Sequence, residues 1–336
     1  MVALLAGLYV LSFFFRGEDE KQLLGDRVVE GVFFQGGYGM QWVFDSAAEF
    51  ERAHPDISAY VWGNPRAWDQ TRPRFLAGNP PDVFWGIHNL NFWVNLQDGL
   101  VAPLDSLMQT PAYGQPDKTF GETFFPGVLE QGQFDGRQYF LPIVYNISGI
   151  WYNKGMFDEH GWQVPATWDE FLALCELIKK TGNGIVPLTH QGKYPTYFGG
   201  IYLALVYKLG GGELLNDMDT LQPGAWARPE LIEAARLSQQ LYERDYILEG
   251  TSSFSHTEAQ MIWLQGKAAM IPCGTWLESE MINALPDGFE MRIMPVPGFV
   301  DGKGGVGAME ANSSPAFWVP ADAAHPDWGM EYLRIM

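Results

Sequence analysis

Several aromatic side chains in this sequence stand beside turns and polar residues. They are Trp85 with His88 and Asn89, Tyr145 with Asn146, Tyr194 and Tyr197 near Gln191, and Trp276 with Glu278. A flat ring can cover the apolar C–H face of a sugar, while amide, imidazole and carboxylate groups hydrogen-bond its hydroxyls. The pattern therefore favours carbohydrate binding, with a place in the hydrophobic core as the alternative for any single ring.

Other kinds of chemistry have weaker support. The run Gly36-Gly37-Tyr38-Gly39 follows a predicted strand and precedes a predicted helix, but it matches neither the dinucleotide nor the Walker fingerprint. It is either a tight turn or a loop whose backbone N–H groups face a ligand. The six histidines show no paired metal-ligand spacing, so we predict neither a metal nor a cofactor.

A carboxylate pair is the remaining catalytic candidate. Glu278 and Glu280 lie close to Trp276, and paired carboxylates can hydrolyse a glycosidic bond. Residues two apart on a helix do not share a face, so a solvated helix surface is the better interpretation. A secreted hydrolase that uses Glu278 or Asp169 as its acid stays open as an alternative.

Composition limits the class of protein and of partner. The chain has 336 residues, of which 47% are hydrophobic and 15% aromatic, which suggests two globular domains and excludes a disordered chain. Its formal net charge of −19 disfavours nucleic acid as a partner. The two cysteines, Cys175 and Cys273, give neither a disulfide framework nor a metal motif.

Alternating strand and helix signals predict an α/β fold with a largely parallel sheet. Predicted strands include 28–34, 57–62 and 82–85, and Thr167 with Glu170 forms a capping box before a helical period. The apolar stretch 2–15 is too short to span a membrane, so we interpret residues 1–27 as the remnant of an export signal or anchor with a linker.

Four segments in order resemble the extracellular solute-binding proteins of bacterial ABC sugar importers, the maltose- and oligosaccharide-binding family. The segments are Ala77-Gly78-Asn79-Pro80-Pro81-Asp82-Val83, Phe134-Asp135-Gly136-Arg137-Gln138-Tyr139-Phe140-Leu141-Pro142, Pro165-Ala166-Thr167-Trp168-Asp169-Glu170, and Gly266-Lys267-Ala268-Ala269-Met270 with Gly274-Thr275-Trp276. The resemblance implies a two-lobe periplasmic-binding-protein-like fold with a hinge and a ligand cleft between the lobes. It places 28–145 with 290–316 in lobe 1, and 146–289 with 317–336 in an incomplete lobe 2.

The same resemblance suggests which residues touch the ligand. Trp85 and Trp276 match stacking residues, Asn146 matches a polar contact, and Gly37 and Tyr38 match a loop that touches ligand. Tyr194 and Tyr197 fall in a segment that supplies aromatic residues, while Glu310 and Asn312 lie near the last crossover between lobes.

The function implied is capture of a mono- or oligosaccharide, or an amino sugar, and its delivery to the transmembrane subunits of an ABC permease. Overall similarity points towards N-acetylglucosamine or chitin-derived sugars. The protein is then a monomeric binding protein rather than an enzyme. It is expected outside the cell or in the periplasm, with a membrane anchor at its N-terminus as one option. A peptide or polyamine bound by the same fold stays open as an alternative ligand.

Overall fold

Strands and helices alternate along the chain. The computed structural model describes residues 27–86, 92–312 and 316–336. The expected signal or anchor in residues 1–27 therefore lies almost wholly outside the described residues, as do His88 and Asn89. The strands are β1 (Val28–Phe34), β2 (Ser58–Asn64), β3 (Val83–Gly86), β4 (Pro111–Ala112), β5 (Gln115–Thr119), β6 (Gln133–Phe134), β7 (Arg137–Gln138), β8 (Asn146–Asn153), β9 (Val186–Leu188), β10 (Ala268–Gly274), β11 (Met291–Met294), β12 (Glu310–Asn312) and β13 (Ala316–Trp318).

Two helices in the second half of the chain begin at side-chain caps. Thr167 and Ser255 both form complete capping boxes, with Glu170 and Glu258 respectively. The helices are α1 (Gln41–Ala53), α2 (Ala67–Leu76), α3 (Phe92–Gln97), α4 (Asp105–Met108), α5 (Lys154–His160), α6 (Trp168–Thr181), α7 (Thr196–Asp219), α8 (Pro229–Glu243), α9 (His256–Leu264), α10 (Trp276–Met281) and α11 (Pro326–Ile335).

The chain divides into two compact units. Unit 1 is Met1–Tyr145 with Ser313–Met336, and unit 2 is Asn146–Asn312. The first boundary coincides with the expected one, whereas the assignment of the last part of the chain differs. Strands β11 and β12 pair with β8, so residues 290–312 pack in unit 2 rather than lobe 1. Strand β13 pairs with β3 and α11 packs beside β1, so residues 317–336 belong to unit 1 rather than lobe 2.

The sheet of unit 1 has the order β13-β3-β1-β2, and β1 pairs in parallel with both β2 and β3. Successive side chains point to opposite faces, and both faces are covered, as β1 illustrates: Phe33 packs in one apolar cluster and Val32 in another. The buried Asp82 carboxylate accepts hydrogen bonds from the Glu30 and His325 backbone N–H groups, both at 2.8 Å. It thereby ties β1 to the start of α11.

The sheet of unit 2 has the order β11-β8-β10-β9, with β12 also on β8. Only β9 and β10 are parallel in this sheet, since β8 runs antiparallel to β10, β11 and β12. The prediction of a largely parallel sheet therefore holds in unit 1 and is wrong in unit 2. The physical reason is that β8 enters unit 2 from the other unit and reaches the middle of the sheet without a helical crossover.

Candidate ligand-binding site

Three strands of unit 2 converge at Ser148. Within the sheet, Ser148 pairs with Gly274 of β10 on one side and with Glu310 of β12 on the other. Two residues before Ser148, the buried Asn146 opens β8 and pairs with Asn312. Two residues after Gly274, Trp276 opens α10. The structure thus brings Asn146, Trp276, Glu310 and the backbone of Asn312, all predicted contacts, to one end of one sheet.

The Trp276 ring is placed by the glycine that precedes it. A Cβ atom on Gly274 would lie 2.0 Å from Cζ3 of the Trp276 indole, so the ring covers the bare backbone of Gly274. Glycine is the only residue that allows this close approach without a shift. The indole is half-buried, and its centroid lies 6.1 Å from the Tyr197 ring at an interplanar angle of 67°. We call Trp276 and Tyr197 the aromatic corner.

Tyr194 and Tyr197 are carried by the turn into α7. The Tyr197 backbone N–H donates to the Tyr194 carbonyl at 3.2 Å, and the Tyr194 N–H donates to the Gln191 carbonyl at 2.8 Å. Tyr194 is 45% exposed. Burial, with Cys273 and Glu280 nearby, raises the pKa of Tyr197, so its hydroxyl stays protonated and able to donate to a ligand.

Gln191 is a buried residue rather than a surface contact. Its side chain is 0% exposed, and in the described part of the chain neither amide atom has a hydrogen-bond partner. A ligand at the surface of this unit cannot reach that amide without a rearrangement. The expectation of a direct contact through Gln191 therefore does not agree with the structure.

The acidic residues of the region differ in environment. The Glu310 carboxylate lies against the first turns of α7, where a Cβ on Gly200 would be 3.8 Å from its Oε2. Glu278 is exposed in the first turn of α10. Glu280 instead accepts from Gln260 at 2.6 Å and lies 2.5 Å from Nε2 of His256. Glu278 and Glu280 thus do not form a matched acid and base, and this disfavours the hydrolase alternative.

Sequence reasoning missed His256 and Gln260 as residues of this region. Their spacing of four places both on one face of α9, and Gln260 adjoins the core residues Ala259 and Trp263 in that helix. A buried amide within an apolar helical face was the available signal. Its importance depends on Glu280, which is distant in sequence.

In unit 1 the predicted residues differ in how far they are exposed. Gly37 and Tyr38 are half-buried in the turn after β1. Trp85 is a core residue, only 1% exposed, and stacks on Phe317 with centroids 4.7 Å apart and planes 9° apart. Its ring has no free face for a sugar, so the prediction of stacking by Trp85 is wrong for this structure. The half-buried neighbour is Trp42, whose indole donates to the Gly39 carbonyl at 3.2 Å.

Tyr145, the last residue of the first segment of unit 1, lies in a different environment. It is 44% exposed and lines a cavity of about 260 Å³. The other walls of this cavity are mostly apolar and include Phe120, Phe124, Leu333 and Met336. Tyr145 therefore lies in an environment quite different from that of the aromatic corner.

Within 27–86, 92–312 and 316–336, no three His, Cys, Asp or Glu side chains lie together so that they could hold a metal ion. Cys175 and Cys273 are free and buried, and burial raises the pKa of both thiols. No helix among the described residues has the length and apolar character needed to cross a bilayer.

The two units, each a sheet covered by helices, and the aromatic corner at the end of one sheet are typical of an α/β protein that binds small molecules. The chain belongs to the family of bacterial extracellular solute-binding proteins, whose profile matches residues 32–336. This confirms the predicted two-lobe solute-binding fold class.

Individual relatives agree with the family. The chain is 30% identical over 312 residues to the diacetylchitobiose binding protein NgcE of Streptomyces coelicolor, a match that covers 92% of this chain and 65% of the relative. A solved structure from work on xylan utilization by Caldanaerobius polysaccharolyticus superposes with a TM-score of 0.77 at 18% identity, over 92% of this chain and 77% of that one. A chitin oligosaccharide binding protein superposes with a TM-score of 0.69 at 20% identity, over 88% of this chain and 72% of that one.

Proposed function

We propose that this protein is the extracellular sugar-binding component of an ABC importer, which captures an oligosaccharide or amino sugar and delivers it to the permease. Family membership supports the class of function. The Streptomyces relative, matched over 92% of this chain, is named for binding diacetylchitobiose. That name supports a ligand built from N-acetylglucosamine. Export from the cell, a monomeric state and an N-terminal anchor in residues 1–27 are parts of the same proposal.

The observation that carries the proposal is the aromatic corner beside hydrogen-bonding groups. Trp276 is half-buried over Gly274, and the Glu310 carboxylate lies one turn of α7 from Tyr197. A pyranose presents an apolar C–H face to a ring and hydroxyls to carboxylate and phenol groups. Binding of this kind needs neither a nucleophile nor a base. We retain Tyr194, Asn146, Glu278, Asn312, Gly37 and Tyr38 as further proposed contacts.

The size of the ring contribution can be estimated. Covering one face of a sugar with an indole removes apolar area worth about 1–2 kcal/mol. Loss of that contact weakens binding by about 5- to 30-fold. Trp276→Ala should therefore weaken binding measurably, and the exposed Trp226, 62% accessible and remote in sequence, offers a matched control in Trp226→Ala.

Intrinsic tryptophan fluorescence titrated with a sugar panel tests the proposal. The panel comprises N-acetylglucosamine, N,N′-diacetylchitobiose, raffinose and xylobiose, with spermidine as a non-sugar comparison. We expect a saturable change with at least one sugar, weakened by Trp276→Ala and unchanged by Trp226→Ala. Saturation by spermidine alone would favour a polyamine ligand and overturn the sugar assignment.

A further inference from the structure

A partly buried polar cluster, in which Gln260 is fully buried, adjoins the aromatic corner. His256 and Gln260 stand one turn apart on α9, and Glu280 stands one turn after Trp276 on α10. Oε2 of Glu280 accepts from Nε2 of Gln260 at 2.6 Å and lies 2.5 Å from Nε2 of His256. The two nitrogens lie 2.9 Å apart because both approach the same oxygen.

The shared oxygen assigns the proton positions. A carboxylate oxygen only accepts, so Gln260 directs its NH₂ group to Glu280 and His256 carries its proton on Nε2. The two hydrogen bonds together fix both the position and the orientation of the Glu280 carboxylate. The three side chains therefore act as a clamp between α9 and α10, which we call the Glu280 clamp.

The clamp contacts Tyr197 directly and is linked to Trp276 through Tyr197 and through α10. The His256 ring packs against the Tyr197 ring with centroids 5.3 Å apart and planes 33° apart. Tyr197 in turn makes the edge contact with Trp276. Glu280 and Trp276 share α10, a helix of six residues. Such a short helix does not hold its own conformation in water, so its orientation depends on contacts made by its side chains.

We infer that His256, Gln260 and Glu280 are positioning residues that set the orientation of Tyr197 and Trp276 for the ligand. They act through the rings and need not touch the ligand themselves. This inference deepens the proposed function and rests on it for its ligand readout. The orientation of Trp276 in the free protein is a second readout that needs no ligand.

The first test is spectroscopic and uses the full chain. The contribution of Trp276 to the emission and near-ultraviolet circular dichroism spectra is obtained by subtracting the spectrum of Trp276→Ala. We expect Glu280→Ala to shift this contribution to the red and to weaken its dichroic bands. Glu280→Gln keeps an oxygen that accepts from both donors, so it should restore the wild-type signature. Glu159→Ala, at an exposed position on α5, is the matched control.

The second test is a double-mutant cycle on sugar affinity with N,N′-diacetylchitobiose. Glu280→Ala and Trp276→Ala should each weaken binding by about tenfold, and the double variant should be little weaker than either single one, because both act through the same ring. Multiplicative losses would mean that Glu280 acts independently of Trp276 and would overturn the inference.

The two proposals fail in different ways. If the wild type binds no sugar, the proposed function is refuted. If Glu280→Ala nevertheless changes the Trp276 spectrum, the inference about the Glu280 clamp still stands. An unchanged signature in folded Glu280→Ala refutes the clamp, whatever the sugar does. Should Glu280→Ala not fold, His256→Phe keeps a ring against Tyr197 and removes the Nε2 donor, and the same signature change is expected from it.

Discussion

Lys208 offers the sharpest test of what holds unit 2 together. Its side chain on α7 is 1% exposed. Among the described residues, none of its hydrogen-bond partners is a carboxylate. Instead its ammonium donates to the carbonyls of Gly305 and Val306, both at 2.7 Å, and of Ala308 at 2.6 Å. The loop that leads into β12, and so to Glu310, is therefore fastened to α7 by one cation.

Lys208→Met keeps the length and apolar stem of the side chain and removes the three donors. A hydrogen bond to a charged group is worth about 1.5–3 kcal/mol, but the variant also avoids burying a charge, and the loop carbonyls regain water. We therefore take about 1 kcal/mol per bond, or about 3 kcal/mol in all. At about 2–4 °C per kcal/mol for a unit of this size, the midpoint of thermal unfolding of unit 2 should fall by about 6–12 °C.

Differential scanning calorimetry measures this change. The control is Lys180→Met, which removes an exposed lysine from an i, i+4 ion pair with Glu176 at 3.2 Å. Such a pair contributes about 0.3–0.5 kcal/mol, so the control should melt within about 2 °C of the wild type. Equal midpoints for Lys208→Met and Lys180→Met would refute the idea that the buried ammonium fastens the loop.

Three further predictions concern unit 2. Burial lowers the pKa of His190 from 6.5 to about 4, so below pH 6.5 the unfolded chain binds a proton that the native chain does not. Between pH 7 and pH 4 the free energy of unfolding should therefore fall by about 3 kcal/mol more in the wild type than in His190→Asn. Urea unfolding of both proteins at each pH measures this difference. Thr167→Ala removes the cap of α6 and should cost about 1 kcal/mol in urea unfolding, whereas no loss would refute the capping role. Gly274→Ala should displace Trp276 and change its emission, while Gly212→Ala, whose Cβ meets nothing within 4 Å, should not; an unchanged emission in Gly274→Ala would contradict the close approach.

Local sequence signals predicted the elements well where local physics decides the outcome. Strand β1 covers Val28–Phe34 as predicted, because its valine and phenylalanine residues favour a strand, and it is buried along almost its whole length. The capping boxes at Thr167 and Ser255 are both complete. The hairpin between β6 and β7 was not predicted, although its Asp135-Gly136 turn carries a local signal: both residues have positive φ, 49° and 73°, as such a two-residue turn requires.

Long-range packing was not predictable in the same way. Nothing in the sequence around Trp85 distinguishes a ring open to solvent from one that stacks on Phe317, more than 200 residues away. The same holds for Glu280. Its role depends on His256 and Gln260, which precede it by 24 and 20 residues in the chain. Strand pairing decided the assignment of 290–312 and 317–336 to their units, and pairing partners are not visible in either segment alone.

The most direct test of the account is calorimetric titration of the full chain and of Trp276→Ala with N,N′-diacetylchitobiose. We expect one saturable site in the wild type and binding about 5- to 30-fold weaker in the variant. Equal affinities in the two proteins, or no heat of binding in the wild type with this sugar or any other in the panel, would contradict it.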